Sequence, residues 1–333
     1  MDTKILLITG GLGYIGSHAV VAFEQAGYET VIIDNLVNSS RDTLVGIEKI
    51  LGYTPDFYDI DIRDRASLET LFEKYAFDGV IHFAGLKAVW ESCQNIHEYQ
   101  ENNIGGSITL FGVMERFQVR RIVFSSSATV YRQDNISPFR EDMPTGTTNP
   151  YGTSKLVIEQ LLSDYREHAS WSVVNLRYFN PIGAHASGYI WEIPNGIPNN
   201  LLPYILDVAL WKREKVLIFG DDYDTPDGTW VRDYIDINDL ISAHVCVYKN
   251  FSLGLETYNV GTWVGVSVLE MIHGVEKVSE KSIPYAITPR RAGDLAVVFA
   301  DADRLRQKYG WKPEVSLEDS LLTAWNFIKR RVE

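Results

Sequence analysis

The sequence predicts an α/β protein, a doubly wound parallel sheet followed by a smaller C-terminal substrate lobe. Up to about residue 180, apolar segments of strand length alternate with segments of helical periodicity, as in repeated β-α units. From Gly183 onward the alternation stops, and Gly, Pro and Asn crowd residues 183–203. A chain of 333 residues is long enough for two lobes. We therefore expect one lobe at 1–180 and a second at 181–333.

Apolar periodicity predicts the individual elements of the first lobe. Its strands are expected at 5–8, 30–33, 56–63, 79–83, 121–124 and 171–176. Its helices are expected at 15–26, 43–51, 65–75, 97–117 and 151–167, with Gly105 and Gly106 interrupting the fourth. A later run, 231–237, is predicted to return to the main sheet as a further strand.

A glycine triplet at the first strand–helix junction indicates a dinucleotide site. Gly10, Gly13 and Gly16 follow the first predicted strand and open the helix. In a Rossmann-type fold the first glycine makes the tight turn, and the second lets the backbone approach a diphosphate. The third lets the helix pack on its strand. The helix N-terminus adds N–H donors and a partial positive charge for the phosphates.

The end of the second predicted strand indicates which dinucleotide binds. Asp34 lies about 20 residues after the triplet, where a carboxylate accepts hydrogen bonds from the adenosine ribose diol. The same carboxylate repels a 2′-phosphate, so NAD is favoured over NADP. Arg41 lies close enough in sequence to keep NADP as the alternative.

Two further charged residues are candidates for the same site. Asp61 closes the third predicted strand, where it either approaches the adenine or caps the helix at 65–75. Lys87 follows the small residues after the fourth strand, where it can meet the diphosphate. His82 on that strand is expected to be a core residue.

Composition excludes several classes of protein. The net charge of −13, from 31 basic and 44 acidic residues, argues against a nucleic-acid surface. Cys93 and Cys246 make neither a disulfide framework nor a thiolate metal site, and the seven histidines lack metal-ligand spacing, so no metal is expected. With no membrane-length apolar run and no visible targeting segment, we expect a cytoplasmic protein without a membrane partner.

Tyr151 and Lys155 are the candidate catalytic pair. They stand four residues apart on a predicted helix and therefore share one face. For the tyrosine to act as a base near neutrality, its pKa must fall by ~3 units from ~10, or about 4 kcal/mol. An ammonium at about 4 Å supplies roughly that amount at an effective dielectric of ~20, and a positively charged nicotinamide adds to it. Ser127, after the fifth strand, can hydrogen-bond a substrate hydroxyl.

Together these segments resemble the extended short-chain dehydrogenase/reductase family, and within it the UDP-galactose (UDP-glucose) 4-epimerases. The resemblance runs nearly end to end, through motifs at 9–18, 34–36, 82–89, 125–131, 149–152, 176–181, 197–201, 231–234 and 290–294. It implies tightly held NAD, a UDP-sugar substrate and a 4-keto sugar intermediate. Tyr151 would remove the proton of the sugar 4-hydroxyl while the C4 hydride passes to NAD and later returns on the other face. A homodimer is also implied, paired through the helices around 98–117 and 151–167.

The resemblance also implies which residues bind the two ligands. Toward NAD it adds Tyr14, Ile15, Asn35, Ile62, Phe83, Ala84, Asn102 and Tyr178, and it includes Tyr151 and Lys155. Toward the UDP-sugar it implies Lys87, Ser127, Tyr151, Phe179, Asn180, Asn200, Leu201, Arg232, Arg291, Asp294 and Val298. The two arginines of that set suit a diphosphate in an otherwise acidic chain.

Several positions depart from the family pattern. A bulky residue stands where glycine is usual, at Trp90, Arg132, Trp191, Trp211, Trp230 and Trp263. Wherever the backbone has φ > 0, such a residue is strained. The substitutions either fill solvent-facing positions without consequence or change the substrate scope or the activity. Val298 lacks the phenol of the tyrosine found at that position in part of the family, so we expect UDP-N-acetylglucosamine to be accepted at least weakly.

Two other functions compete with a UDP-hexose 4-epimerase. One is a different sugar-nucleotide-modifying enzyme of the same fold, such as a UDP-N-acetylglucosamine 4-epimerase or an oxidoreductase that releases reduced cofactor. The other is a catalytically impaired NAD-binding protein. The intact set of Tyr151, Lys155 and Ser127 argues against the second.

Overall fold

The computed structural model describes residues 3–193, 198, 200–291 and 293–332. Its strands are, in chain order, β1 (Ile5–Thr9), β2 (Glu29–Asp34), β3 (Asp56–Asp59), β4 (Phe77–His82), β5 (Arg121–Ser127), β6 (Ser172–Tyr178), β7 (Asn180–Ile182), β8 (Val216–Phe219), β9 (Val231–Asp236), β10 (Leu255–Val260), β11 (Gly265–Ser267), β12 (Tyr285–Thr288) and β13 (Val297–Val298).

The helices are α1 (Tyr14–Gln25), α2 (Arg41–Leu51), α3 (Arg65–Lys74), α4 (Val89–Gln94), α5 (Ile96–Tyr99), α6 (Gly106–Arg116), α7 (Pro150–Ala169), α8 (Leu201–Ala209), α9 (Ile237–Lys249), α10 (Val268–Ser279), α11 (Asp303–Tyr309) and α12 (Leu317–Val332). A π-helical segment, Gln100–Gly105, joins α5 to α6, and a 3₁₀ turn, Ala128–Val130, follows β5. No helix of the described ranges is long and apolar enough to cross a membrane.

The main sheet confirms the predicted α/β class. It has seven strands in the order β10-β6-β5-β4-β1-β2-β3. The first strand, β1, is an inner strand of this sheet and pairs in parallel with β2 on one side and β4 on the other. In a doubly wound sheet the ligand crevice lies at the carboxyl ends of the strands where the order reverses, here between β1 and β4.

The chain divides into two compact units that interleave in sequence. The first comprises Met1–Gln133, Met143–Tyr178 and Ile241–Tyr258, and the second comprises Asp134–Asp142, Phe179–Leu240 and Asn259–Glu333. Sequence analysis expected one boundary, at residue 180. The chain instead returns to the first unit at Ile241–Tyr258, which includes most of α9 and most of β10.

The predicted return strand at 231–237 is wrong. Its residues form β9, which pairs with β7, β11 and β13 in a separate four-stranded sheet. The strand that joins the main sheet beside β6 is β10. Apolar periodicity identifies a strand but does not name its partner, because strand pairing is set by contacts far apart in sequence.

Two other predicted boundaries need correction. The third strand ends at Asp59, not 63, because Asp61 starts a turn in which its carbonyl accepts from Asp64 N and its carboxylate from Arg63 N. The glycines expected to interrupt the helix at 97–117 do not, and the chain stays helical through the π segment into α6. A Cβ on Gly106 would lie 2.6 Å from the Ile62 side chain, so glycine at this position permits close packing.

The tryptophans at expected glycine positions have different surroundings. Trp90 and Trp211 are each 73% exposed, whereas Trp191 is buried with its ring 5.5 Å from that of Phe327. Trp211 and Trp263 have φ of 59° and 63°, in the left-handed region that favours glycine. The interpretation that all of these residues face solvent is therefore wrong for Trp191.

Trp211 ends α8 in a Schellman motif. Its N–H donates to Val208 O at 2.9 Å, and the Lys212 N–H donates to Asp207 O at 2.9 Å. Glycine is the usual residue at this left-handed position, so the motif forms here with a strained residue. Arg132, by contrast, is exposed and does not have a positive φ.

Candidate active site

The glycine turn after β1 is closed by contacts that leave no room for side chains. Gly10 has φ of 66° and donates to Ile33 O at 2.8 Å. A Cβ on Gly10 would lie 2.8 Å from Ala84 N, and one on Gly16 would lie 2.1 Å from Gly10 O. These glycines therefore bring the loop, the end of β4 and α1 into direct backbone contact.

The N-terminus of α1 has the properties of a diphosphate site. Gly13 is the N-cap residue, and no side chain of the described chain caps the helix there. Gly13, Tyr14 and Ile15 remain partly exposed, while the residues behind them are buried. The first-turn N–H groups of a helix have no intrahelical acceptors, so an anion fits at this point. The residues present thus fit the pyrophosphate of a dinucleotide.

Asp34 is held at the end of β2. Its carboxylate accepts from Leu12 N at 3.0 Å, Leu36 N at 2.9 Å and Ser39 Oγ at 2.7 Å. A carboxylate has about four acceptor positions, so one remains for a ribose hydroxyl. Arg41, the residue that kept NADP open, instead donates to the Asp59 carboxylate at 3.1 Å.

Asp61 lies beside Asn35, the residue after Asp34. Asn35 Nδ2 donates to Asp61 Oδ2 at 2.9 Å, and Arg63 Nη2 donates to the same oxygen at 2.7 Å. These hydrogen bonds, led by that of Arg63, lower the pKa of Asp61 to about 2. The alternative in which Asp61 caps the next helix is wrong, since Asp64 caps α3 through Ser67 N.

Asn103 fixes the loop that follows β4. It accepts from Leu86 N at 2.8 Å and donates through Nδ2 to Leu86 O and Ser154 Oγ, both at 3.0 Å. The predicted cofactor residue Asn102 is buried beside it and donates to Asn103 Oδ1 at 2.9 Å. Lys87, the next residue of the loop, is exposed. Through the hydrogen bonds of Asn103 to Leu86 and Ser154, the loop is tied to α7, the helix that carries Tyr151.

Among the remaining predicted cofactor residues, Phe83 and Ala84 lie directly after β4. Ala84 N donates to Thr9 Oγ1 at 3.2 Å, and the Phe83 ring lies 5.1 Å from that of His244. Ile62 is buried against Gly106. The structure thus gathers Phe83, Ala84 and the glycine turn at the switch point between β1 and β4.

The start of α7 positions Tyr151. Asn149 caps the helix by accepting from Gly152 N at 2.8 Å, and Pro150 occupies the first helical position. The Ser127 side chain at the end of β5 interacts with the Tyr151 hydroxyl and acts to lower the pKa of Tyr151. Ser127 Oγ also accepts from Thr129 Oγ1 at 3.0 Å. The structure therefore brings the predicted acid–base residue and the predicted serine together.

Lys155 lies one turn farther along α7 and is buried. Its ammonium donates to Ser125 O at 2.7 Å and lies 5.8 Å from the centre of the Tyr151 ring. Burial lowers the pKa of Lys155 to about 8, against the opposing charge of Glu159.

Lys155 is not among the groups that set the pKa of Tyr151 in this structure. Burial raises the pKa of Tyr151, and the opposing effect comes from the Ser127 side chain. The phenolate loses more hydration than its surroundings return, and the buried Lys155 ammonium is directed at the Ser125 carbonyl. That Lys155 and a bound nicotinamide together make Tyr151 a base stays a prediction.

A buried ion pair lies beneath the catalytic pair. Arg177 on β6 donates to Glu159 on α7 through Nε at 2.9 Å and Nη2 at 2.6 Å, and Ser126 Oγ donates to the same carboxylate at 2.5 Å. Sequence analysis missed this cluster, although Glu159 is four residues after Lys155 and Arg177 is a charge in a buried strand. A carboxylate one helical turn after Lys155 and a charged residue inside an apolar strand are both signals that could have predicted the ion pair.

Tyr178, a predicted cofactor residue, is buried at the end of β6. Its hydroxyl hydrogen-bonds His244 Nε2 and the Ser125 side chain. Burial raises its pKa well above the usual value, so it stays neutral. His244 comes from α9, too far away in sequence for a spacing argument to find.

The structure confirms the prediction that His82 is a core residue. It is fully buried, with Nδ1 2.7 Å from Thr9 Oγ1 and Nε2 3.0 Å from Ser107 Oγ. Burial lowers its pKa to about 3. Among the described residues no three His, Cys, Asp or Glu side chains cluster as metal ligands.

The second unit gathers part of the predicted UDP-sugar set around β9. Arg232 lies on β9, Val298 is its register partner on β13, and Asn180 on β7 donates to Asp233 O at 2.9 Å. Arg232 Nη1 donates to Val231 O and Leu295 O, each at 2.8 Å. Burial lowers the pKa of Arg232, and the negative charge of Asp294 opposes the shift.

The other predicted UDP-sugar residues of this unit have separate surroundings. Asn200 donates to Glu192 at 2.7 Å and precedes Leu201, the first residue of α8. Phe179 is buried near Phe139, with 6.5 Å between ring centres. The Arg291 guanidinium lies 3.6 Å from the centre of the Phe219 ring, a contact that sequence analysis did not predict. Two predicted motifs, 197–201 and 290–294, lie partly outside the described residues.

Comparisons with known proteins agree with this arrangement. Residues 6–261 match the family model described as "NAD dependent epimerase/dehydratase family". The chain is 48% identical over 326 residues to the UDP-glucose 4-epimerase of Yersinia enterocolitica, covering 97% of each chain.

Two solved structures extend the comparison. The UDP-glucose 4-epimerase of Bifidobacterium longum, in complex with NAD+ and UDP, has a TM-score of 0.95 at 46% identity and 99% coverage of both chains. The UDP-Glc/GlcNAc 4-epimerase of Campylobacter jejuni has a TM-score of 0.85 at 33% identity, covering 98% of this chain and 99% of its own.

Proposed function

Because the chain belongs to the NAD dependent epimerase/dehydratase family, we propose that it epimerises C4 of a UDP-hexose, interconverting UDP-galactose and UDP-glucose through a transient 4-keto sugar. The observation that carries this proposal is the interaction of Tyr151 with Ser127, with Lys155 one turn away on α7, in the same unit as the glycine turn.

NAD is the cofactor of this reaction. The N-terminus of α1 would hold its pyrophosphate and Asp34 its adenosine ribose, and Asn35 with Asp61 would contact the adenine. When bound, NAD supplies the hydride acceptor and donor at the sugar C4, so the net reaction is redox-neutral. Asp34 and the engagement of Arg41 by Asp59 favour NAD over NADP.

Tyr151 acts as the acid–base residue. It takes the proton of the sugar 4-hydroxyl as the ketone forms and returns a proton to that oxygen afterwards. Ser127 hydrogen-bonds the same oxygen and disperses its developing charge. The positive charge of a bound nicotinamide would join that of Lys155 in favouring the Tyr151 phenolate.

The residues around β9 bind the UDP-sugar. Arg232 and Arg291 neutralise the diphosphate, and Asn180, Asn200 and Asp294 supply polar contacts. UDP-N-acetylglucosamine is the alternative substrate, favoured by the small side chain at Val298. The homodimer and the cytoplasmic location expected from the sequence remain predictions.

The test is made on the purified protein before any cofactor is added. It is incubated with UDP-galactose while UDP-glucose is followed by a coupled assay and the reduced-nicotinamide absorbance is scanned. We expect interconversion without accumulating reduced cofactor. No conversion after NAD is added, with NAD shown to be bound, would contradict the proposal for this sugar pair.

A further inference from the structure

We propose that Trp230 is a positioning residue for the UDP-sugar diphosphate, acting by holding the guanidinium of Arg232 in its binding orientation. The inference rests on the proposed function, in which Arg232 contacts the diphosphate. Trp230 is one of the positions at which the sequence analysis expected glycine.

The contact between the two side chains is direct. The Arg232 guanidinium lies 4.8 Å from the centre of the Trp230 ring, within the range of a cation–π interaction. Nη1 is held by Val231 O and Leu295 O, each at 2.8 Å. Within the described part of the chain, no group accepts a hydrogen bond from Nε or Nη2. Two carbonyl groups thus hold Nη1 and the indole covers one face of the guanidinium, while the Nε–Nη2 edge remains available to an anion.

The backbone on both sides of Trp230 is anchored. Thr229 is fully buried and donates to Asp227 Oδ1 through N at 2.9 Å and through Oγ1 at 2.8 Å. Val231 N donates to Ala296 O at 2.8 Å, where β9 meets β13. The indole therefore stands on a rigid segment and can restrain the longer, more flexible arginine.

Restraint of Arg232 favours binding for a physical reason. A free arginine loses side-chain entropy when it is immobilised on a phosphate, whereas an arginine already held in place loses little. Arg232 is half-buried as a residue, and the indole face and two carbonyl oxygens replace part of the hydration of its guanidinium. The structure thus predicts tighter diphosphate binding with tryptophan at this position than with glycine.

The experiment measures the dissociation constant of UDP by calorimetry on the full-length, NAD-loaded protein and its variants. We expect Trp230→Gly to bind UDP about 3- to 30-fold more weakly, and Trp230→Phe to retain most of the affinity. Trp211→Gly, the same replacement at a residue that is 73% exposed and outside the predicted ligand set, should leave the affinity unchanged. Uridine, measured by competition, lacks the diphosphate and should bind all four proteins equally. In turnover, Trp230→Gly should raise KM with little change in kcat.

Several outcomes would overturn the inference. UDP binding by Trp230→Gly that equals or exceeds wild-type binding would mean that the indole does not assist Arg232. An equal loss for uridine and UDP would assign the effect to the base or to the fold. If Trp230→Gly fails to fold, the comparison of Trp230→Phe with Trp230→Leu decides, because leucine fills space without a π face. If wild-type protein binds no UDP, the proposed function fails, a result distinct from any difference among variants.

Discussion

The Lys155 ammonium donates its 2.7 Å hydrogen bond to the carbonyl oxygen of Ser125 and not to the phenol of Tyr151. Ser125 is two residues before Ser127 on β5, so one contact links α7 to the strand that carries the serine. Lys155 therefore positions the pair as well as contributing charge, and the following predictions separate these contributions.

Tyr151→Phe should reduce epimerisation by about 10²- to 10⁴-fold, because it removes the acid–base group without changing the ring. Turnover of UDP-galactose and bound NAD are measured together, and the NAD content should stay near wild type. Tyr165→Phe is the matched control, since Tyr165 is a half-buried tyrosine on the same helix. Comparable losses in both variants would argue against a catalytic role for Tyr151.

Lys155→Met should abolish most of the activity and yet stabilise the cofactor-free protein. The fall of the Lys155 pKa from 10.5 to about 8 corresponds to roughly 3 kcal/mol, which burial of the charge costs at neutral pH. Loss of the hydrogen bond to Ser125 offsets ~1 kcal/mol of the gain. We expect a net stabilisation of about 1–2 kcal/mol at pH 7, measured by urea unfolding.

The pH dependence of the stability tests whether Lys155 is buried as a cation. Between pH 8 and 10.5 the unfolded chain binds more protons at Lys155 than the folded chain does, so this residue makes stability rise with pH. The advantage of Lys155→Met should therefore be complete below pH 8 and shrink above it. An advantage that grows with pH would show that the lysine is not buried as a cation.

Glu159→Gln should destabilise the protein by about 3–5 kcal/mol, because it removes the carboxylate that neutralises the buried Arg177 cation. The double variant Glu159→Leu/Arg177→Met should lose less stability than the sum of the losses of Glu159→Leu and Arg177→Met measured separately. Urea unfolding of the set measures this coupling. Glu318→Gln is the control from an exposed ion pair and should change stability by less than about 1 kcal/mol. Additive single effects would contradict the ion-pair interpretation.

Trp211→Gly should stabilise the protein by about 0.5–1 kcal/mol, since glycine accepts the left-handed backbone of the Schellman motif without strain. Trp90→Gly is the matched control with the opposite expected sign. Both side chains are 73% exposed, but Trp90 is helical, where glycine is unfavourable by up to about 1 kcal/mol. Thermal unfolding should separate the two variants, and a shift in the same direction would refute the backbone explanation.

Val298→Tyr should lower turnover of UDP-N-acetylglucosamine more than that of UDP-glucose. The phenol adds bulk next to Arg232, the register partner of Val298, where an acetamido group needs space. Both sugars are assayed with both proteins. Turnover of the N-acetylated sugar that tyrosine leaves unaffected would remove Val298 from the specificity-determining residues.

The parts of the site that could be predicted depend on short spacings. The glycine turn, Asp34 and the pair of Tyr151 and Lys155 follow from helical and strand geometry over a few residues. The Trp230–Arg232 stack also had a local signal, because residues two apart in an extended segment share a face.

The parts that could not be predicted depend on contacts distant in sequence. The place of β10 beside β6 and the approach of His244 to Tyr178 join segments more than 60 residues apart. Burial of the Tyr151 hydroxyl, which raises its pKa, also depends on contacts that residue spacing does not report. Spacing alone contains no information on solvation.

The π-helical segment at Gln100–Gly105 has a consequence for how this chain tolerates insertions and deletions. A π turn holds one residue more than the α-helix it interrupts, so removing one residue there would restore regular α-helical geometry. That repair would rotate the preceding helix by about 100° and carry Asn103 away from Leu86 and Ser154. The more regular helix would therefore disconnect the β4 loop from the tyrosine helix. At this point the fold keeps an irregular helix length because the alignment of the β4 loop with α7 depends on it.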